Sequence, residues 1–287
     1  MMEHRMTEPP VRAGNVDWAD HWRRTVQARM ALHEGGETPA GASRWDDRAE
    51  RFARMGRALD PNTEPLAVAL RSAVRASDTV LDVGAGAGRY TFAVAPLVRH
   101  VTAVEPSAGM RAALQEEATR RGVTNVTIVP SAWQAADVEP HDFVFVANVL
   151  YFVRDIVPFV DKLNRNARRG CCIIHRVEER ASIYGELLSD IAPARPPEAG
   201  FLDLYNLLFS IGIRANVQLV RPPISGRYTT VEEAVADVRF GLGIEVEDHS
   251  HDEAIHAYLA KTLVQSGEGL GFPRGPQMAV ASWEQAP

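Results

Sequence analysis

The chain is 287 residues long, 46% hydrophobic, and carries a formal net charge of -6. That length and apolar content allow one large buried core or two modest ones. The acidic balance argues against nucleic acid as the main partner, because holding a phosphate backbone needs at least a local basic face.

Met1 to Asn15 is polar, contains Pro9-Pro10 and lacks the apolar core of a signal peptide. Asp17 to Leu32 then places Trp18, Trp22, Val26 and Met30 at helical spacing and ends at Gly35-Gly36. The best basic run, His21-Trp22-Arg23-Arg24 with Arg29, falls in this helix and reads as its solvated face. Further helices are predicted over Trp45 to Met55, with Ala49 and Phe52 on one face, and over Glu64 to Val74, after the turn Asp60-Pro61-Asn62. From Asp78 short apolar strands alternate with helices. Strands are expected at Thr79–Val83, His100–Val104, Val126–Val129, Phe143–Ala147 and Cys171–His175, with helices at Arg89–Val98, Ala108–Arg121 and Ile156–Asn166. Continuous apolar strands at this spacing argue for a parallel sheet covered on both faces.

Cys171 and Cys172 are adjacent and are the only cysteines. Neighbours on a strand point to opposite faces, so a disulfide between them is not expected and a reducing compartment follows. Beyond Val177 the alternation weakens. Helices are predicted at Ser182–Ile191, Phe201–Ile211, Thr230–Phe240 and Asp252–Val264, and strands at Ala215–Val220 and Gln277–Trp283. No segment reaches the length of a membrane span, so a soluble, cytoplasmic protein is expected. The layout divides into an N-terminal helical cap (1–76), an α/β core (77–178) and a C-terminal part (179–287) that completes the sheet. The 223–272 stretch within that last part is expected to act as a helical lid.

The informative run is Val80-Leu-Asp-Val-Gly-Ala-Gly-Ala-Gly-Arg-Tyr90. A buried strand enters Gly84, Gly86 and Gly88 and leaves into a helix, so the turn can be sharp and a ligand can approach backbone without meeting a Cβ. A glycine-rich turn alone is shared by several nucleotide folds. Three details narrow it. Arg89 stands where a dinucleotide fingerprint would carry its last glycine. Asp82, two residues before the first glycine, would repel a pyrophosphate but suits a cationic ligand. Glu105 ends the second strand, where its two oxygens suit the vicinal hydroxyls of a ribose.

This run, with Val104-Glu105-Pro106-Ser107 and with Asp142-Phe-Val-Phe-Val-Ala-Asn-Val-Leu-Tyr-Phe-Val153, resembles the signature of class I S-adenosylmethionine-dependent methyltransferases. The resemblance covers Asp78 to Val177. It implies a seven-stranded, mostly parallel α/β sheet in the order 3-2-1-4-5-7-6, with the last strand antiparallel and helices on both faces. It also implies S-adenosylmethionine as cofactor, S-adenosylhomocysteine as product, and an enzyme.

Carried over by position, Asp82, Gly84, Ala85, Gly86 and Gly88 would meet the methionyl part, and Glu105 the ribose. Pro106, Ser107 and Met110 would lie beside the ribose or adenine. Many relatives have an acid after the third strand that receives the adenine amino group; here Ser131 replaces it, and Ala132 and Trp133 are the neighbouring candidates. Asn148, after the fourth strand, would also border the cofactor. In relatives with a comparable N-terminal helix an aromatic residue lies over the cofactor. Phe52, Trp45 and Trp22 are candidates, with Arg48 or Arg51 near a carboxylate.

The acceptor would sit at the strand ends, where Asn148, Tyr151 and His175 are the catalytic candidates. Asn148-Val-Leu-Tyr151 keeps the outer residues of the Asn-Pro-Pro-Tyr motif of nucleic-acid amine methylation, but both prolines are missing. No cysteine follows the fourth strand, as carbon-5 cytosine chemistry requires, and no set of acids there makes a metal site. His175 is either a general base, given an ordinary pKa near 6.5, or a structural histidine at the sheet edge. His249, His251 and His256 lack the spacing of a metal site and read as a solvated cluster. The preferred function is methyl transfer by direct displacement to a small-molecule acceptor. The alternatives are a protein or RNA methyltransferase, and a non-catalytic S-adenosylmethionine-binding protein. A nicotinamide dehydrogenase is disfavoured by Asp82 and Arg89.

Overall fold

Short apolar runs bounded by capping residues and glycines set the element order. The computed structural model describes residues 16–31, 41–177, 185–191, 195–221, 228–242, 244, 248–267 and 269–285. Met1 to Asn15, Gly35-Gly36 and the Ser182–Tyr184 start of a predicted helix lie outside these residues. The first helix, α1 (Trp18–Met30), begins where the Asp17 carboxylate accepts from the Asp20 N–H at 3.0 Å. A 3-10 segment (Gly41–Arg48) runs into α2 (Ala49–Arg57). Then α3 (Pro65–Ala73) starts with Glu64 as N-cap and Pro65 in the first turn, where its missing N–H costs nothing.

The central stretch follows as β1 (Thr79–Val83), α4 (Thr91–Val94), β2 (His100–Val104), α5 (Ala108–Arg121), β3 (Val126–Val129), β4 (His141–Ala147), α6 (Ile156–Arg165) and β5 (Ala167–Arg176). The remainder is α7 (Gly185–Ile191), α8 (Phe201–Ser210), β6 (Asn216–Val220), α9 (Val231–Leu242), α10 (Asp252–Thr262), β7 (Val264–Ser266), β8 (Gly269–Gly271) and β9 (Met278–Glu284).

Three elements depart from the sequence expectation for local reasons. The helix expected over Arg89–Val98 is one α turn followed by a 3-10 turn at Ala95–Leu97, because Pro96 has no N–H to continue it. The helix expected over Trp45–Met55 is 3-10 up to Arg48. The last helix stops at Thr262, and Val264 belongs to the hairpin of β7 and β8, turned by Gly267 at φ +60°.

The seven-stranded sheet has the order β3-β2-β1-β4-β5-β9-β6, as the resemblance implies, with β9 antiparallel to both β5 and β6. Alternate residues feed two apolar layers. On one face Leu81, Val83, Val144, Val146, Cys171 and Ile173 pack under α1, α6 and α8. On the other, Val80, Phe143, Phe145, Cys172 and Ile174 pack under α3. A third core of Leu187, Tyr228, Val238, Ile255, Leu259 and Phe272 gathers α7, α9, α10 and the hairpin. The N-terminal region is therefore divided. Its helices α1 and α3 are built into the two faces of the sheet, while Gly41–Arg57 lies against the loops at the strand ends. Among the described residues no helix is long and apolar enough to cross a membrane.

Candidate active site

The glycine loop leaves β1 with Gly84, Gly86 and Gly88 all at positive φ (+74°, +55° and +86°), a region that costs side-chain-bearing residues energy. The three serve different ends. A Cβ on Gly84 would stand 2.4 Å from Val149, and one on Gly88 the same distance from Phe92, so these two are demanded by packing. A Cβ on Gly86 would meet only the Met110 sulfur, at 4.0 Å. The space in front of Gly86 is open. Ala85 faces the other way and packs with Phe92 and Leu114.

Asp82, at the end of β1, is 3% exposed and accepts a hydrogen bond from the Thr91 hydroxyl at 2.5 Å. Burial pushes its pKa up to about 7, with the Thr91 hydroxyl opposing and the Glu105 charge adding to the rise. The Glu105 carboxylate bridges the two loops. One oxygen accepts from the Gly86 N–H at 2.8 Å, the other from the Ser107 N–H at 2.8 Å. Burial raises its pKa, against the pull of those two N–H groups. Each oxygen keeps lone-pair capacity for a further donor.

Ser107 caps α5 by accepting from the Met110 N–H at 3.1 Å. It also donates to Asp46 of the 3-10 segment at 2.5 Å, and Asp46 accepts from the Gly109 N–H at 2.9 Å. The Ser107 hydroxyl and the Gly109 N–H hold the Asp46 carboxyl below its ordinary range. The cap segment is thus pinned to the positive end of α5. Only glycine fits at position 109, since a Cβ there would come within 2.8 Å of the Asp46 Cα. Phe52 packs with Ala49, Ala53, Ala87 and Met110, and Trp45 meets Phe52 and Phe152 edge-on. Pro106 is exposed, and its carbonyl accepts from Arg111 at 2.6 Å.

After β3, Ser131 is half-buried and its hydroxyl donates to the Ala132 carbonyl at 3.0 Å. The expectation that the Trp133 ring contacts adenine does not fit. The indole is buried in the core, donating to the Phe159 carbonyl at 3.3 Å with the Lys162 ammonium over its face at 4.6 Å. A cavity of about 640 Å³ beside it is lined by Met30, Trp133, Phe152, Phe159 and Lys162 and by none of the loop glycines. Trp22 is likewise a core residue, its indole donating to the Val153 carbonyl at 2.8 Å.

After β4, Asn148 holds φ +60°, alone among the described non-glycine residues in the left-handed region. Asparagine tolerates that region better than most. Its side-chain oxygen accepts from the Tyr151 hydroxyl at 3.2 Å, and that hydroxyl accepts from the Arg176 N–H at 3.2 Å. Burial raises the Tyr151 pKa. Beneath Tyr151, stacked at 4.5 Å, lies His175, which is 0% exposed. Its Nε2 donates to the Ala199 carbonyl at 2.9 Å, its other face meets Trp22, and Nδ1 has no partner. Burial holds His175 down to about 4. Of the two readings of His175, this burial and bonding favour the structural one over the general base. The ring is neutral and sealed beneath Tyr151, with no exposed edge for an acceptor.

Arg48 and Arg51, expected near a carboxylate, meet one from α9. Asp237 accepts from Arg48 at 3.2 Å and from Arg51, and Glu233 pairs with Arg54. Thr91, Asp46, Asp237 and Glu233 bond to residues around the candidate site, and the sequence reading missed them. Only Asp46 carried a local signal, as an acid beside the aromatic Trp45. Among the described residues no group of three or more His, Cys, Asp or Glu could hold a metal ion.

Residues 80–170 match a family described as "Methyltransferase domain". An uncharacterized protein of Haemophilus influenzae is 25% identical over 205 residues, 70% of this chain and 75% of that protein. Among solved structures, the YcgJ protein of Bacillus subtilis superposes with a TM-score of 0.53 at 16% identity, covering 77% of this chain and 98% of that one. A methyltransferase candidate of Bacillus halodurans superposes with a TM-score of 0.55 at 13% identity, covering 78% of this chain and 99% of that one. The match of residues 80–170, which hold the glycine loop and Glu105, on a sheet of this order supports the class I S-adenosylmethionine-dependent methyltransferase resemblance.

Proposed function

We propose that this methyltransferase acts on a small-molecule acceptor, bound at the strand ends beneath the cap segment and the C-terminal insertion. The observation that carries this reading is the roof: α2 and α9 meet through Arg48, Arg51, Arg54, Asp237 and Glu233 rather than standing apart around an open groove. A polymer would need such a groove.

In this reading Asp82 and the backbone of Gly84, Ala85, Gly86 and Gly88 face the methionyl end, the open space before Gly86 admits the ligand, and Glu105 accepts from the ribose hydroxyls. Ser107 and Met110, with exposed Pro106, flank the ribose and adenine. Ser131 and the backbone of Ala132 take the adenine edge, and Phe52 covers the ligand from above. When bound, S-adenosylmethionine supplies a methyl group already activated by its sulfonium. The protein's task is then to position the acceptor and exclude water, and alignment alone is worth roughly 7–11 kcal/mol in favourable cases. Asn148 and Tyr151, fixed to each other and to the Arg176 backbone, offer the acceptor an amide and a phenol in one orientation. His175 is the plank on which Tyr151 rests.

Calorimetry with S-adenosylmethionine, S-adenosylhomocysteine and NAD, followed by label transfer to panels of small amines, phenols and acids and to total RNA and protein, tests this. Binding of both sulfur ligands but not NAD, with label entering a small molecule, supports it. Label entering only RNA or protein overturns it.

A further inference from the structure

The short helix α2 has two working faces. Ala49, Phe52 and Ala53 pack against Ala87 of the glycine loop and Met110 of α5. Arg48 at its N-cap, with Arg51 and Arg54, turns the other way onto α9. There Asp237 accepts from Arg48 at 3.2 Å and from Arg51, and Glu233 from Arg54. The remaining Asp237 oxygen accepts from the Tyr228 hydroxyl at 2.8 Å, and the Arg51 guanidinium lies 5.4 Å above the Tyr228 ring. Tyr228 in turn is part of the separate core that binds α9 to α7, α10 and the hairpin. Asp237 is 12% and Arg51 15% exposed, so these are not loose surface pairs. The α2 helix thus touches α9 on one face and the glycine loop on the other.

We propose that these ion pairs form a latch between the cap segment and the insertion. Closed, it holds α2 over the cofactor; opened from the α9 side, it frees α2 and lets the spent cofactor go. Release of S-adenosylhomocysteine is thereby tied to opening of the acceptor side. The proposal rests on the cofactor reading given above.

Hydrogen exchange on the ligand-free, full-length protein tests the latch itself. Asp237→Asn keeps the shape and removes the charge; the α2 amides should exchange about tenfold faster while α5 stays protected. Unchanged α2 protection in the folded variant overturns the latch, whether or not a cofactor binds. Stopped-flow dissociation of S-adenosylhomocysteine tests the coupling. The rate should rise about tenfold in the variant. Faster α2 exchange with an unchanged dissociation rate overturns the coupling. Wild-type protein that fails to bind S-adenosylhomocysteine overturns the cofactor reading instead, and the exchange experiment still decides the latch. Arg54→Gln, at the more exposed end of the row (40%), gives the same readings if Asp237→Asn does not fold.

Discussion

Replacing Asp82 by Asn probes the electrostatics of the glycine loop through pH. Burial lifts the Asp82 pKa to about 7. Near pH 6 roughly one carboxyl in ten is then ionised, and near pH 8 roughly nine in ten. A cationic ligand binds the ionised form, so affinity should climb about tenfold over that interval, or about 1.4 kcal/mol. The same shift acts on folding with the opposite sense. The folded pKa lies above the ordinary value of 3.8, so this acid's stabilising contribution is complete below about pH 4 and is lost as pH rises through about 7. Above that, the empty wild-type protein carries a cost of order 4 kcal/mol that Asp82→Asn does not. Calorimetric titration of S-adenosylmethionine across this range, beside urea denaturation, reads both effects. The ligand's own α-amino group, with a pKa of about 7.7–8.0, titrates alike with both proteins and cancels in the comparison. Parallel affinity curves for wild type and Asp82→Asn would refute the electrostatic reasoning.

Three further outcomes are expected. Glu105→Ala removes the acceptor of the Gly86 and Ser107 N–H groups and, in the proposed reading, of the ribose, and should weaken binding by about 1.5–3 kcal/mol by calorimetry. Gly86→Ala incurs only the strain of a left-handed residue, about 1–2 kcal/mol, whereas Gly88→Ala adds a collision with Phe92 worth about 1–3 kcal/mol more. Thermal melts should therefore separate them, while calorimetry finds cofactor affinity lost in Gly86→Ala. His175, held down to about 4, favours folding above its ordinary 6.5 and loses that contribution as pH falls toward 4, in all about 3 kcal/mol. His175→Asn should flatten the acid limb of a stability-against-pH curve; an unchanged limb would mean that the ring is not buried neutral.

Where burial is continuous on both faces, the sequence pattern and the structure agree closely. The strands β1, β2 and β3 begin and end at the predicted residues, and α5 is bounded by Ser107 and left-handed Gly122 as its caps require. The glycine loop and Glu105 were legible because they lie within a short stretch of chain. The roof was not. Asp46 reaches Ser107, and Arg51 reaches Asp237, across long separations that leave no local signature. His175 read as a possible base because a polar residue at a strand end normally faces solvent. Here Trp22 from α1 and the Ala199 carbonyl before α8 close over it, and neither is visible from the strand. Trp133 misled for a related reason: a large ring in a loop can turn inward when a backbone carbonyl is there to take its N–H.

The paired thiols on β5 give this sheet a chemical clock. Cys171 lies in the layer beneath α1, α6 and α8, and Cys172 in the layer beneath α3. Burial pushes both up to about 12, so neither is a thiolate at neutral pH and neither reacts while the sheet is closed. Each sulfur becomes alkylatable only when its own layer parts. Timed labelling, resolved by fragmenting the one peptide that holds both, would therefore record which side of the molecule opens first.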